Sequence, residues 1–329
     1  MDISSTTVLG LTDYVLLNSY TLTSSGLYEG KAGHALCLFE IARFFQDEGL
    51  DMSAFELLEE ALLSKTENID FASGLSGIGY TLAYLIRHDF IEADFHDFFG
   101  KQQESIFSKA EDEQNKWKLL NLIPFLLEYK QLASTDKSSD SLITGILNDS
   151  IHQTESVFST KNWHREEQKG SWMSYLKLLF RTLFLLQTEE NPQLYNIALL
   201  GKMISNLSIL LKTQRISLTE ETAFYTTQID GLKEIIYPGK LIINSSSSVV
   251  LDLASLTRLS AIESFSNHLI SFDKNPLMDW TNDNIEQKLN SHIGKQQNLC
   301  SWQRGIIRYL LYWIYRENPE KRLFSQILH

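Results

Sequence analysis

A chain of 329 residues, 43% apolar and 21% charged, falls in the globular range and carries too much apolar weight to stay unfolded. Its formal net charge of −12, without any run of Lys and Arg, argues against a nucleic-acid partner, which needs clustered cations to neutralise phosphates. With only 5 Pro and 16 Gly the chain is short of turn residues for an all-β fold, which favours long helices.

The N-terminus, Met1-Asp2-Ile3-Ser4-Ser5, has neither a basic segment nor an apolar core, so no secretory signal is expected. No membrane span is expected either: the apolar window Leu176 to Leu186 is interrupted by Lys177 and Arg181 and falls short of the roughly 20 residues a span needs. Two cysteines, Cys37 and Cys300, make no disulfide framework, and a reducing cytoplasm is the expected compartment.

Along the chain, the first strong feature is Gly26-Leu27-Tyr28-Glu29-Gly30-Lys31-Ala32-Gly33, followed by the apolar run His34 to Ala42. About 44 residues later stands Phe71-Ala72-Ser73-Gly74-Leu75-Ser76-Gly77-Ile78-Gly79, followed by Tyr80 to Ile86. Both units read as a polar approach, a Gly-x-x-Gly and an apolar helix. Glycines three apart share one face of a helix's first turn. There they allow either close packing or backbone N–H groups open to a cavity. Gly30, Gly33, Gly74 and Gly77 are therefore taken as the structural marks of a repeat.

Weaker copies follow. Leu119 to Leu127 has Asn121 and Pro124 where the glycines would be, and Pro suits a helix's first turn. Gly170-Ser171-Trp172-Met173-Ser174-Tyr175 opens another apolar helix, Leu251 to Ser255 a further one, and Leu299 to Gly305 the last, in which Gly305 alone survives. The starts fall near 30, 74, 121, 171, 255 and 302, a period of a helical hairpin, and the one long gap leaves room for a unit within Leu207 to Ile236. Amphipathic partners lie at Ala54 to Leu63 and Leu142 to Val157, and turn chemistry at Ser134 to Ser141, Tyr237 to Gly239 and Asn244 to Ser248. The expectation is an all-α fold, an α/α toroid (barrel) of six or seven helical hairpins forming a single domain over residues 1–329.

The Gly-Leu-Ser-Gly-Ile-Gly unit at Gly74 to Gly79, with Gly30-x-x-Gly33 one period earlier, resembles the lanthionine synthetase C-like family. The end of the chain, Gly305-Ile306-Ile307 into Leu310-Leu311 and Asn318-Pro319-Glu320-Lys321-Arg322, is similar to that family's last repeat and closing segment. The resemblance implies the toroid. It also implies, for active members, a central zinc that activates a peptide cysteine for thioether ring closure, since zinc lowers a thiol's pKa and holds the sulfur near its acceptor. The family's zinc ligands are a Cys after Trp and, further on, a Cys-His pair. Here Trp172 is followed by Met173, whose neutral thioether is a poor zinc ligand, and the repeat at Asp252 to Ser260 holds neither Cys nor His. Cys300-Ser301-Trp302 either aligns with the Cys-His pair, putting Ser where His would stand, or by repeat counting belongs to the last unit, where no ligand is expected; either register leaves at most one of three ligands. No metal and no cofactor are expected.

Candidates for a peptide-binding cavity, placed by register at repeat starts, are Glu29, Lys31, His34, Trp172, Tyr175, Cys300, Gln303 and Arg304. Each has a plainer alternative. Glu29 fits a first-turn carboxylate favoured by the helix dipole, Arg304 a solvated charge, His34 a packed histidine and Cys300 a packed thiol. Other motifs with chemistry are missing: the eight histidines are scattered, and no Cys-x-x-Cys, His-Glu-x-x-His, Gly-x-Ser-x-Gly or phosphate loop occurs. The expected function is that of a zinc-free accessory or peptide-binding component of ribosomal peptide modification, partnered by a precursor peptide or a dehydratase-like enzyme. The alternative is a carbohydrate-active α/α barrel, for which Glu29 and Asp252 are the carboxylates in register.

Overall fold

The computed structural model describes residues 5–132 apart from 29 and 115, residues 137–157 and 195–212, and the single positions 179, 182, 300, 306, 307, 310, 311 and 314. The repeat starts near 171 and 255, with Glu29, Trp172, Met173, Tyr175, Asp252, Gln303, Arg304 and Gly305, lie outside the described residues. So do the turn segments at 237–239 and 244–248. The described residues are helical and contain no strand, in agreement with an all-α fold.

The helices in chain order are α1 (Ser5–Ser19), α2 (Lys31–Phe45), α3 (Glu48–Leu62), α4 (Leu75–Arg87) and α5 (Phe95–Asp112). A short α6 (Lys116–Leu119) and a 3-10 turn (Leu120–Leu122) lead into α7 (Ile123–Leu132), and α8 (Lys137–Val157) and α9 (Ile197–Lys212) follow. The chain divides into two compact units. One comprises residues 1–112, 124–136 and 266–329, the other 113–123 and 137–265.

Within the first unit, α2 packs on α3, α4 packs on α5, and α1 and α4 both lie against α2. Burial sorts these helices into two kinds. α2 is buried without interruption from Ala32 to Ala42, and α4 from Leu75 to Leu85. By contrast α3 buries only Leu50, Ala54, Leu57, Leu58 and Ala61, and α5 only Phe95, Phe99, Gln103, Ile106 and Ala110. A helix covered on all sides is an inner element, and one with a single apolar stripe is an outer element. Each large side chain so enclosed stabilises the fold by about 1.5–3 kcal/mol before entropy is counted. Gly30 and Gly74 are thus followed by inner helices, and the segment around Ala54 to Leu63 is outer.

Helix α7 repeats the inner pattern, with Phe125 to Tyr129 buried in succession. Phe125 meets Phe99 edge-on at 6.4 Å, and Tyr129 lies 5.2 Å from Phe95, centroid to centroid. Pro124 stands in its first turn, where no intrahelical N–H is lost. At the far end of the sequence, Ile306, Ile307, Leu310, Leu311 and Ile314 are helical and fully buried, the stripe expected of the last repeat.

Outer helix α3 begins six residues earlier than the apolar pattern from Ala54 suggests. Asp47 explains it: its carboxylate accepts from the N–H groups of Gly49 and Leu50, both at 3.0 Å, and so starts the helix. In the second unit α8 packs on α9 and on α6. It starts at Lys137, so residues 137–141 of the expected turn segment are helix. Ser138, Ser139 and Asp140 occupy its first turn, where such side chains are well tolerated. Asn196 caps α9 by accepting from Leu199 N–H at 3.1 Å, while its own N–H donates to Asn148 at 2.8 Å. Among the described residues no helix is long and apolar enough to cross a membrane.

Candidate functional site

At the starts of α2 and α4 the sequence leaves open either close packing or a cavity, and the structure shows what the first-turn donors meet. The first-turn N–H groups of Lys31, Ala32 and Gly33 donate to the carbonyls of Ser24, Ser25 and Gly26 at 3.0, 3.3 and 3.4 Å. At α4, Leu75 N–H donates to Asn68 at 2.7 Å, Gly74 N–H to Asp70 at 2.9 Å, and Ser76 Oγ to the Ile69 carbonyl at 2.6 Å. The backbone N–H groups among these donors, free in an isolated helix, are satisfied by the chain's own loop. The two starts also join: Tyr28 N–H donates to the Ala72 carbonyl at 2.8 Å, one repeat further on.

Of the two uses of the glycines left open by sequence, close packing is the one observed. A Cβ at Gly30 would overlap the backbone of Gly26, and one at Gly77 would overlap the Phe71 carbonyl and lie 2.8 Å from Leu27 Cβ. Backbone meets backbone at both places, so a methyl group has nowhere to go.

Three cavity candidates sit among the described residues. The ammonium of Lys31 forms an ion pair with Glu60 of the outer helix α3. His34 is buried, its Nδ1 3.0 Å from the Gly30 carbonyl. A carbonyl only accepts, so Nδ1 carries the proton and Nε2 is a bare acceptor, buried and without a hydrogen-bond partner among the described residues. Burial pulls the His34 pKa from 6.5 down to about 4, against a smaller opposing effect of the Gly30 bond. The imidazole is neutral at pH 7.

Cys300 and Cys37 are both free and buried. Burial pushes the Cys300 thiol up to about 12, and burial, then Cys300 and Glu40, hold Cys37 well above the ordinary thiol range. Protonated thiols in apolar surroundings are poor nucleophiles. Among the described residues no group of three or more His, Cys, Asp or Glu side chains is arranged to hold a metal ion.

A second polar cluster lies at the other ends of the inner helices, and sequence reading did not single it out. Glu40 of α2 and Glu128 of α7 are both fully buried. Between them the Tyr84 phenol of α4 donates to Glu40. Arg87 grips Glu128 with two bonds, Nε to Oε1 at 2.5 Å and Nη2 to Oε2 at 3.0 Å, and also donates to Gln131. Burial first, then the Glu40 carboxylate, keeps the Tyr84 phenol well above its usual range, so it remains a donor. Two buried carboxylates resemble an acid–base pair on paper. Here each is engaged by a partner one helix away, and the arrangement clamps consecutive inner helices together.

No protein-family model, no curated protein and no solved structure matches this chain.

The clamp had two signals in the sequence. Glu40 and Glu128 are lone charges within runs that are otherwise apolar, and a lone charge in a buried run needs a partner. Arg43 and Arg87 also stand one period apart. Arg43 donates to the carbonyls of His88 and Asp89 at 2.8 and 2.7 Å, and its guanidinium lies 3.3 Å over the Phe90 ring. Both arginines reach forward to the next inner helix or the turn that ends it.

Proposed function

We propose that this chain is a lanthionine synthetase C-like protein without the zinc centre, acting as a peptide-binding or accessory component of ribosomal peptide modification. The observation that carries the reading is the recurrence of one unit: a glycine-marked inner helix with an amphipathic outer partner, in register over about 44 residues. Side-chain bonds between successive units span comparable distances in sequence, 44 residues for Tyr84 to Glu40 and 41 for Arg87 to Glu128. A toroid of six or seven such hairpins is part of the proposal.

The zinc-free half draws on Met173 where the family has Cys, and on Cys300-Ser301, which leaves at most one of the three ligands in either register. Chemistry at a thiolate is not assigned to this protein. The carbohydrate-active alternative draws no support from Glu40 and Glu128, whose carboxylates are enclosed and engaged by Tyr84 and Arg87.

Elemental analysis of the purified chain tests the zinc-free half, with less than a tenth of an equivalent of zinc expected. Stoichiometric zinc that disappears in Cys300→Ala overturns it. Titration with a dehydrated, cysteine-containing peptide of the class such pathways modify tests the other half. Saturable binding is expected, and its absence together with turnover of a glycan substrate replaces the reading with the glycosidase one.

A further inference from the structure

The outward face of α3 is apolar and acidic at once. Met52 is 67% exposed, Phe55 44%, and Leu63, at the helix's C-cap, 80%. Interleaved with them on the same exposed half of the helix are Glu48, Asp51, Glu56 and Glu59. Among the described residues none of these four carboxylates has a cationic partner, since Lys31 is taken by Glu60. The helix itself contains no Lys, Arg or His.

The other outer helix, α5, is built differently. It exposes Phe98, but Lys101 and Lys109 alternate there with Asp97 and Glu104, and Lys109 pairs with Glu67. The concentration of uncompensated acid around three apolar anchors belongs to α3.

That combination selects its occupant. Covering Met52, Phe55 and Leu63 removes apolar surface from water, which favours association. Covering them with anything neutral or acidic strips water from four carboxylates without return. A second copy would set acid against acid, and an anionic bilayer would repel the face. A cationic segment, with Lys or Arg flanking Leu or Phe, meets both requirements. We propose that the outer face of α3 docks a basic, amphipathic helical segment of a partner polypeptide, with Met52, Phe55 and Leu63 as anchors and Glu48, Asp51, Glu56 and Glu59 as the charge complement. This surface lies on an outer helix, and the proposal does not depend on the peptide-modification reading. The net charge of −12 steers the same class of partner toward the molecule.

The experiment uses the full chain and two labelled probe peptides of about 18 residues, long enough to lay one amphipathic face along α3. One carries Leu on one helical face and Lys on the other, and the second has Glu in place of every Lys. Anisotropy is followed at physiological salt. The Lys probe is expected to bind and the Glu probe not. The double substitution Met52→Ser with Phe55→Ser should weaken the Lys probe about tenfold, the scale of losing central interface anchors. Glu56→Gln with Glu59→Gln should weaken it comparably and flatten its dependence on salt, while keeping the helix and its apolar residues intact. Phe98→Ser on α5 should leave the affinity unchanged. The proposal is overturned by failure of the Lys probe to bind, by equal binding of the Glu probe, by an equal loss in Phe98→Ser, or by sedimentation showing self-association abolished by Phe55→Ser.

Discussion

The hairpin α2–α3 and the hairpin α4–α5 share an inner helix of one design and carry outer helices of two. In α2 and α4 the same register positions hold glycine at the start (Gly30 and Gly33, Gly74 and Gly77), a polar group in the buried run (Glu40, Tyr84), and arginine in the last turn (Arg43, Arg87). In α3 and α5 only the buried stripe is common, and the exposed faces differ in both charge and apolar content. An inner helix is constrained by neighbours on every side, so its pattern repeats. An outer helix answers to one neighbour and to water, so its outer face is free to take on a role of its own.

The strongest way to break the comparison is at the glycine marks. Gly77→Ala drives a methyl group into the Phe71 carbonyl and Leu27, and it should cost more than about 3 kcal/mol, at the upper end of overpacking, with urea unfolding as the measure. An unchanged midpoint would mean that the close approach between repeat starts is not what the glycine serves.

Next come the paired arginines. Arg87→Ala leaves the fully buried Glu128 without its cation and should cost about 3 kcal/mol. Arg43→Ala, at the equivalent position one unit earlier, removes exposed bonds to carbonyls and the Phe90 contact, and about 1 kcal/mol is expected. Equal losses in the two variants would erase the distinction between a buried clamp and a surface one.

His34 marks a third difference, since the corresponding position in α4 is Ile78. Its pKa is lower in the folded chain, about 4, than the ordinary 6.5. The unfolded chain therefore binds the extra proton between these values, and stability falls as the pH drops through that window while staying flat above it. From pH 7 to about pH 4.5 the loss from this group should be roughly 2 kcal/mol. His34→Leu should remove that component from the pH dependence of the urea midpoint, and a slope unchanged by the substitution would place the titration elsewhere.

The smallest effect has the opposite sign. Gly10 lies in α1 with nothing within 4 Å of where a Cβ would stand. Gly10→Ala should raise stability by about 0.5–1 kcal/mol, the helix-propensity difference, which a thermal midpoint resolves. Beside Gly77→Ala it separates glycines that hold two backbones together from one that merely occupies a helix.

Much of the hairpin pattern was legible in the sequence. Gly-x-x-Gly followed by an uninterrupted apolar run marks the inner helices α2 and α4, because only a helix covered all round reads as apolar all round. The outer helix α5 left a fainter trace: its buried stripe is thin and includes Gln103. The start of α3 at Glu48 depends on Asp47, whose capping role shows only in the geometry of its carboxylate. For the candidate site, His34 and Cys300 are both buried, a surrounding that their places in the sequence leave open between cavity and core. The Glu40, Tyr84, Arg87 and Glu128 clamp was not singled out, because its members lie about 40 residues apart and only the packing of neighbouring helices joins them.

The sequence by itself determined that the described residues are helical, that the starts of α2 and α4 fall 44 residues apart, and that these two helices are inner, since periodicity and apolar runs are properties of local chain order. Whether the glycines open a cavity or close one was decided by tertiary structure alone. Closing depends on where the loop carbonyls of Ser24, Ser25 and Gly26 and of Asn68 and Asp70 fall in space. No spacing of residues encodes that. The same holds for the charges: Glu40 and Glu128 gain their partners, and Glu48, Asp51, Glu56 and Glu59 of α3 stand without a cation among the described residues, through the arrangement of whole helices rather than through any motif.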